Sequence, residues 1–151
     1  MDAIERESEP NWRANVRIAW SAMVVGIATG MIMGLWSFAG PLPVPQRLGE
    51  YDDVARRLAR LGHIACFGLS FVNLLLVREL ERLDLSARAA RAAALAMNFG
   101  NVALPVTLFL AAGWHPIKYV MPVPAACVLL AIAIVARGTW TAKRGCRCGN
   151  G

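Results

Sequence analysis

The apolar residues of this chain fall into four nearly unbroken blocks, at positions 18–39, 61–77, 92–112 and 119–136. No other feature limits the fold so strongly. A helix that crosses a bilayer needs about 20 predominantly apolar residues, within a range of about 17–25. The hydrocarbon interior offers no water to an open backbone. A spanning block must therefore satisfy its own amides and carbonyls, and the helix is the form that does so within one segment. The reading is all-α: an integral membrane four-helix transmembrane bundle over residues 18–137, between a polar N-terminal segment, 1–17, and a basic C-terminal tail, 138–151. Hydrophobic residues make up 57% of the chain, where a soluble domain has about 45–50%. The second block is the shortest and is extendable at both ends.

Basic residues set the orientation. Of the 16 lysines and arginines, five (Arg47, Arg56, Arg57, Arg60 and Lys118) fall in the connections after the first and third blocks. The other eleven fall in the N-terminal segment, the 78–91 loop and the tail. Positive charge is enriched on the cytoplasmic side, so both termini are expected there, N-in/C-in. The net charge of +6 gathers at block ends, where lipid headgroups lie. No RNA- or DNA-binding motif accompanies it. The expected partner is the lipid bilayer, and nucleic acid is not expected. The first 17 residues are acidic and polar, unlike the short positive start of a signal peptide, so the first block reads as a retained helix. Trp12, Trp20, Trp36, Trp114, Tyr119 and Trp140 fall near block ends, as interfacial anchors do.

The connections carry local signals. Pro41, Pro43 and Pro45 favour extended backbone. Asp52 or Asp53 can then cap a helix that runs through Arg60 into the second block. Asp84 or Ser86 can cap the third helix. Pro122 and Pro124 fall in the first turns of the fourth, where a missing amide hydrogen costs least.

Three groups of residues stand out inside the blocks. Gly26, Gly30 and Gly34 recur every four residues, with Ala22 extending the row. Small residues at this spacing let another helix approach closely. The partner is either another helix of this chain or another membrane subunit, including a second copy in a homo-oligomer. In the second block, His63, Cys66, Ser70 and Asn73 share one helical face. In the third, Asn98, Asn101 and Pro105 share another. Antiparallel packing puts Asn73 at nearly the depth of Asn98 or Asn101, so an amide pair between these helices is expected.

The chain has two histidines. His63 is expected about one turn inside the outer surface and His115 in the turn just past the third block, at the same end. Imidazole is the commonest metal ligand, and haem iron takes axial histidines. His63 and His115 could therefore clamp one haem b or hold part of a copper site, with Arg56, Arg57 and Arg60 meeting haem propionates. A quinone beside His63, Tyr51 and Trp114 is a related reading. Beside these stands the plainer one: a histidine near a helix end bonds a neighbouring carbonyl or lies at the headgroup level. Two histidines with no flanking carboxylate make a weak metal signature.

The remaining chemistry is sparse. Cys66 and Cys127 lie inside blocks, where a thiol acts as a small hydrophobe. Cys146 and Cys148 form a Cys-Arg-Cys tail without the further ligands a structural zinc needs. No block contains a carboxylate or lysine, the groups that ion-coupled carriers place in membranes. No nucleophile–base pair or phosphate-cradling loop is present, so catalysis is not expected. The architecture is similar to that of many small four-span bacterial membrane proteins, which implies the bacterial inner (plasma) membrane. The expected role is that of a non-catalytic accessory or assembly subunit of a larger membrane complex. The alternatives are the redox module at His63 and His115, and an oligomeric small-molecule channel or carrier.

Overall fold

A computed structural model describes residues 12–37, 40–48 and 53–145, with Arg47 and residues 142–145 as backbone only. The N-terminal 11 residues, Glu50, Tyr51, Asp52 and the Cys146–Cys148 tail lie outside it. The described chain is helical throughout: α1 (Trp12–Gly34), a 3-10 turn (Gln46–Leu48), α2 (Val54–Arg82), α3 (Ala87–Gly113), a 3-10 segment (His115–Val120) and α4 (Pro122–Gly145). Four of these stretches are long and apolar enough to cross a membrane.

Flanking polar residues continue the helical turns past most block ends, but α1 stops at Gly34, five residues short of its block, and α4 starts at Pro122, three residues into its block. α1 begins at Trp12, six residues before the apolar block, so part of the expected polar segment is helical. α2 starts at Val54 with Asp53 at the N-cap position but no side-chain cap bond. It stops where Leu83 turns extended and gives its amide to Glu79. Ser86 caps α3, accepting from the Ala89 amide at 3.4 Å. Trp114 breaks α3 in extended geometry, and Pro116 opens the next segment. Pro122 is the first residue of α4, where its missing hydrogen has no intrahelical use.

α2 and α3 form the central antiparallel pair. α1 lies against both of them, α4 packs mainly on α3, and α1 and α4 share no substantial interface. The core sits at the N-terminal end of α1, where Leu76 and Leu80 of α2 meet Ala90, Ala93, Ala94 and Met97 of α3 and Ala131 of α4. Trp12 packs against this cluster instead of standing free as an interfacial ring. The alanine row keeps α3 thin, so three helices approach it. In an apolar solvent, close fit rather than expulsion of water holds such a core. Trp20, Trp114, Tyr119 and Trp140 are exposed, and Trp36 is half-buried.

Candidate functional site

The polar groups inside the apolar helices converge on the α1–α2–α3 interface. Asn15, Asn73 and Asn98 close a ring of amides. Asn15 Nδ2 donates to Asn73 Oδ1 at 2.9 Å. Asn73 Nδ2 donates to Asn98 Oδ1 at 3.1 Å. Asn98 Nδ2 returns to Asn15 Oδ1 at 3.0 Å. Asn15 Nδ2 also reaches the Ala94 carbonyl at 3.1 Å. Every member gives and accepts one side-chain bond, so turning any one amide over would set donor against donor. Asn15 and Asn73 are both almost fully buried. The ring ties three helices at one depth and fixes their axial register.

Of Asn98 and Asn101, the two amides expected near the depth of Asn73, it is Asn98 that bonds to it. Asn15 is the member that hydropathy blocks do not reveal, because it lies ahead of the first of them. A subtler signal exists. Asn15, Ala19, Met23 and Gly26 are the buried residues of α1, and they follow one another at helical spacing, so Asn15 continues the same face.

Asn101, one turn on from Asn98, is outside the ring. Ser70 Oγ donates to the Cys66 carbonyl at 2.6 Å and lies 3.4 Å from Asn101 Oδ1. Its one proton belongs mainly to the shorter contact. Asn101 Nδ2 is buried with no partner.

His63 is seated on the glycine row. Its Nδ1 lies 2.8 Å from the Gly26 carbonyl and 3.5 Å from Thr29 Oγ1. A carbonyl only accepts, so Nδ1 carries a proton. A Cβ at Gly30 would come within 2.5 Å of His63 Cε1, and one at Gly26 within 2.9 Å of the Phe67 ring. The ring of Phe67 meets His63 edge-on with centroids 5.4 Å apart. Gly26 and Gly30 therefore pack within the chain, as the receptors of α2 side chains. A Cβ at Gly34 would have nothing within 4 Å.

His63 faces α1, whereas His115 is exposed at the start of the 3-10 segment after α3. Trp114 is also exposed. Arg56 is buried and Arg60 half-buried on the first turns of α2, and both already have interactions within the chain. Among the described residues, no group of three or more histidine, cysteine and acidic side chains is placed to hold a metal ion. Cys66 is buried and Cys127 half-buried, both as free thiols.

This seat gives a testable expectation. His63→Phe keeps a ring on the glycines but loses the bond to Gly26, at a cost of about 1 kcal/mol. The visible spectrum of the purified protein should be the same with and without the substitution. A haem band that vanishes in the variant would instead support the cofactor reading.

Two cavities lie along α1. One, of about 330 Å³, lies between α1 and α3 with Cys66, Asn101 and Pro105 in its lining. The other, of about 350 Å³, lies at the far end of α1 between Trp36, Leu48, Ala59 and Phe109.

Comparison with protein-family models, with curated proteins and with solved structures gives no match.

Proposed function

We propose that this chain is a non-catalytic accessory or assembly subunit of a larger membrane complex, inserted in the bacterial plasma membrane with both termini in the cytoplasm. The observation that carries this reading is the bareness of the outer helices. The stretch His115–Thr141 has the highest mean hydropathy of the four, 2.3, yet only 11% of its most apolar window is buried within the chain. The corresponding share in α1 is 17%, against 39% in α3. α1 and α4 flank the central pair without closing on each other, so two long apolar flanks stay open. Lipid can cover them, but helices of a neighbouring subunit fit them equally well, because association in a bilayer rests on shape and polar contact rather than apolar burial. Meanwhile the Asn15–Asn73–Asn98 ring and the His63–Gly26 bond use the inner polar groups to hold the bundle together.

A photo-crosslinking residue at Leu129, exposed on α4, should capture a distinct membrane polypeptide in native membranes. The same residue at Met31, exposed on α1, maps the second flank. Lipid adducts alone at both sites, together with a lone monomer after gentle extraction, would sink the subunit reading.

A further inference from the structure

We propose that the groove between α1 and α3 binds one anionic phospholipid, with the headgroup phosphate on Arg17 and the glycerol-ester region on Asn101. This rests on the membrane-spanning reading above and adds a specific ligand to it.

The groove has a buried floor and exposed rims. Cys66, Asn101 and Pro105 form the floor, while Arg17 and Val25 of α1 and Val106 of α3 stand exposed at the rims. It is therefore entered sideways, from between the two helices, which is how a lipid chain arrives. Apart from its polar floor and Arg17, the lining is mainly apolar.

The floor contains an unmet polar group. Asn101 is fully buried, its Oδ1 side is turned to Ser70 on α2, and its Nδ2 has no partner. In the orientation observed Nδ2 is the unmet end; turned over, Nδ2 would donate to Ser70 Oγ and Oδ1 would be the unmet end in its place. Pro105, one turn later, has no amide hydrogen to give to the Asn101 carbonyl. Asn98, one turn earlier, gives one bond and accepts one in the ring. The contrast marks Asn101 as a group waiting for a ligand rather than a structural tie, since buried polar groups are otherwise paired.

The ring also fixes the depths. Asn15 is bonded to Asn98, and α1 and α3 run in the same direction. Arg17 and Asn101 therefore lie within about one turn of each other along the bundle axis. A phospholipid has the same layout: an anionic phosphate at the headgroup level, ester carbonyls just beneath it, and acyl chains deeper still. The phosphate meets the Arg17 guanidinium, and an ester carbonyl accepts from Asn101 Nδ2. Beyond them the groove continues to Val25 and Phe109, about 12 Å along the axis at about 1.5 Å per residue, which accommodates the upper part of an acyl chain.

The test is native mass spectrometry of the full chain, extracted with mild detergent from vesicles of equal phosphatidylglycerol and phosphatidylethanolamine. The wild type should keep one phosphatidylglycerol per chain in preference to phosphatidylethanolamine. Asn101→Leu and Arg17→Gln should each lower that retention about three- to tenfold, the effect of one lost polar contact. Val106→Trp, placed on an exposed rim where it fills the groove without entering the core, should abolish it. Leu129→Trp on α4 should leave it unchanged. Bare chains, equal retention of both lipids, capture of an apolar carbonyl compound without phosphate, or lipid loss that ignores Val106→Trp would each overturn the proposal. Recovery of the chain in the soluble fraction removes the membrane reading and this inference together. A membrane-inserted chain that keeps no phospholipid removes this inference alone.

Discussion

Asn73→Leu is expected to cost about 2–3 kcal/mol of stability. The substitution keeps the branched shape but opens the amide ring at its α2 member. Asn15 loses the acceptor of one bond, and Asn98 loses the donor to its Oδ1. Interhelical hydrogen bonds in membranes average about 0.6 kcal/mol and reach about 1.7. Two ring bonds are broken here, with a long third from Asn73 Nδ2 to the Asn15 carbonyl at 3.5 Å, and the abandoned side chains are largely buried. The measurement is reversible unfolding in mixed micelles, followed by helical circular dichroism. The ring makes a second demand. Once Asn73→Leu is present, adding Asn98→Leu should cost much less than it does alone, with a coupling of about 1 kcal/mol or more. Additive losses would mean that the three amides act separately. Asn101→Leu is the internal control in phospholipid-free detergent. It removes an unmet amide and should be neutral or slightly stabilising.

The second large effect is expected at Gly100. α3 and α4 meet there almost backbone to backbone. A Cβ at position 100 would collide with Val128 Cγ2 and lie 3.1 Å from the Pro124 carbonyl oxygen. The carbonyl belongs to the helix backbone and cannot step aside as a side chain can. Gly100→Leu should therefore push α4 off α3 at a cost of about 3 kcal/mol, the upper part of the usual range for overpacking. Protease access to the α3–α4 turn should rise with it. Gly68 is a helical glycine of opposite character, exposed and with nothing within 4 Å of a Cβ. Gly68→Ala should be neutral or stabilising by up to about 1 kcal/mol. Equal effects at the two sites would show that a Cβ at position 100 has more room than 3.1 Å to the Pro124 carbonyl oxygen allows.

Much of the site is legible in the order of the residues. The face carrying His63, Cys66, Ser70 and Asn73 follows from helical spacing alone, and Cys66, Ser70 and Asn73 are buried on it. The meeting of Asn73 with the third helix follows from antiparallel depth. Three features are not legible in this way. Asn15 falls with the polar segment when boundaries are drawn where hydropathy changes, whereas a helix continues wherever its backbone bonds do. His63 and His115 share an end of the bundle, but sharing an end does not set direction, and His63 points at α1. The glycine row signals close approach but does not name what approaches; the answer is an imidazole and a phenyl ring from α2.

The sequence by itself determined that the chain forms four long apolar helices and which face of each carries polar groups. Both are local properties: hydropathy and backbone satisfaction decide the first, and the 3.6-residue period decides the second. Only the tertiary structure decided which amide closes the ring, where His63 finds its acceptor, and that Asn101 is left facing a groove. Those outcomes depend on the rotation and axial register of one helix against another. These are set by the summed fit of residues far apart in sequence, such as Asn15 with Asn98 or Gly100 with Pro124, and no single helix encodes them.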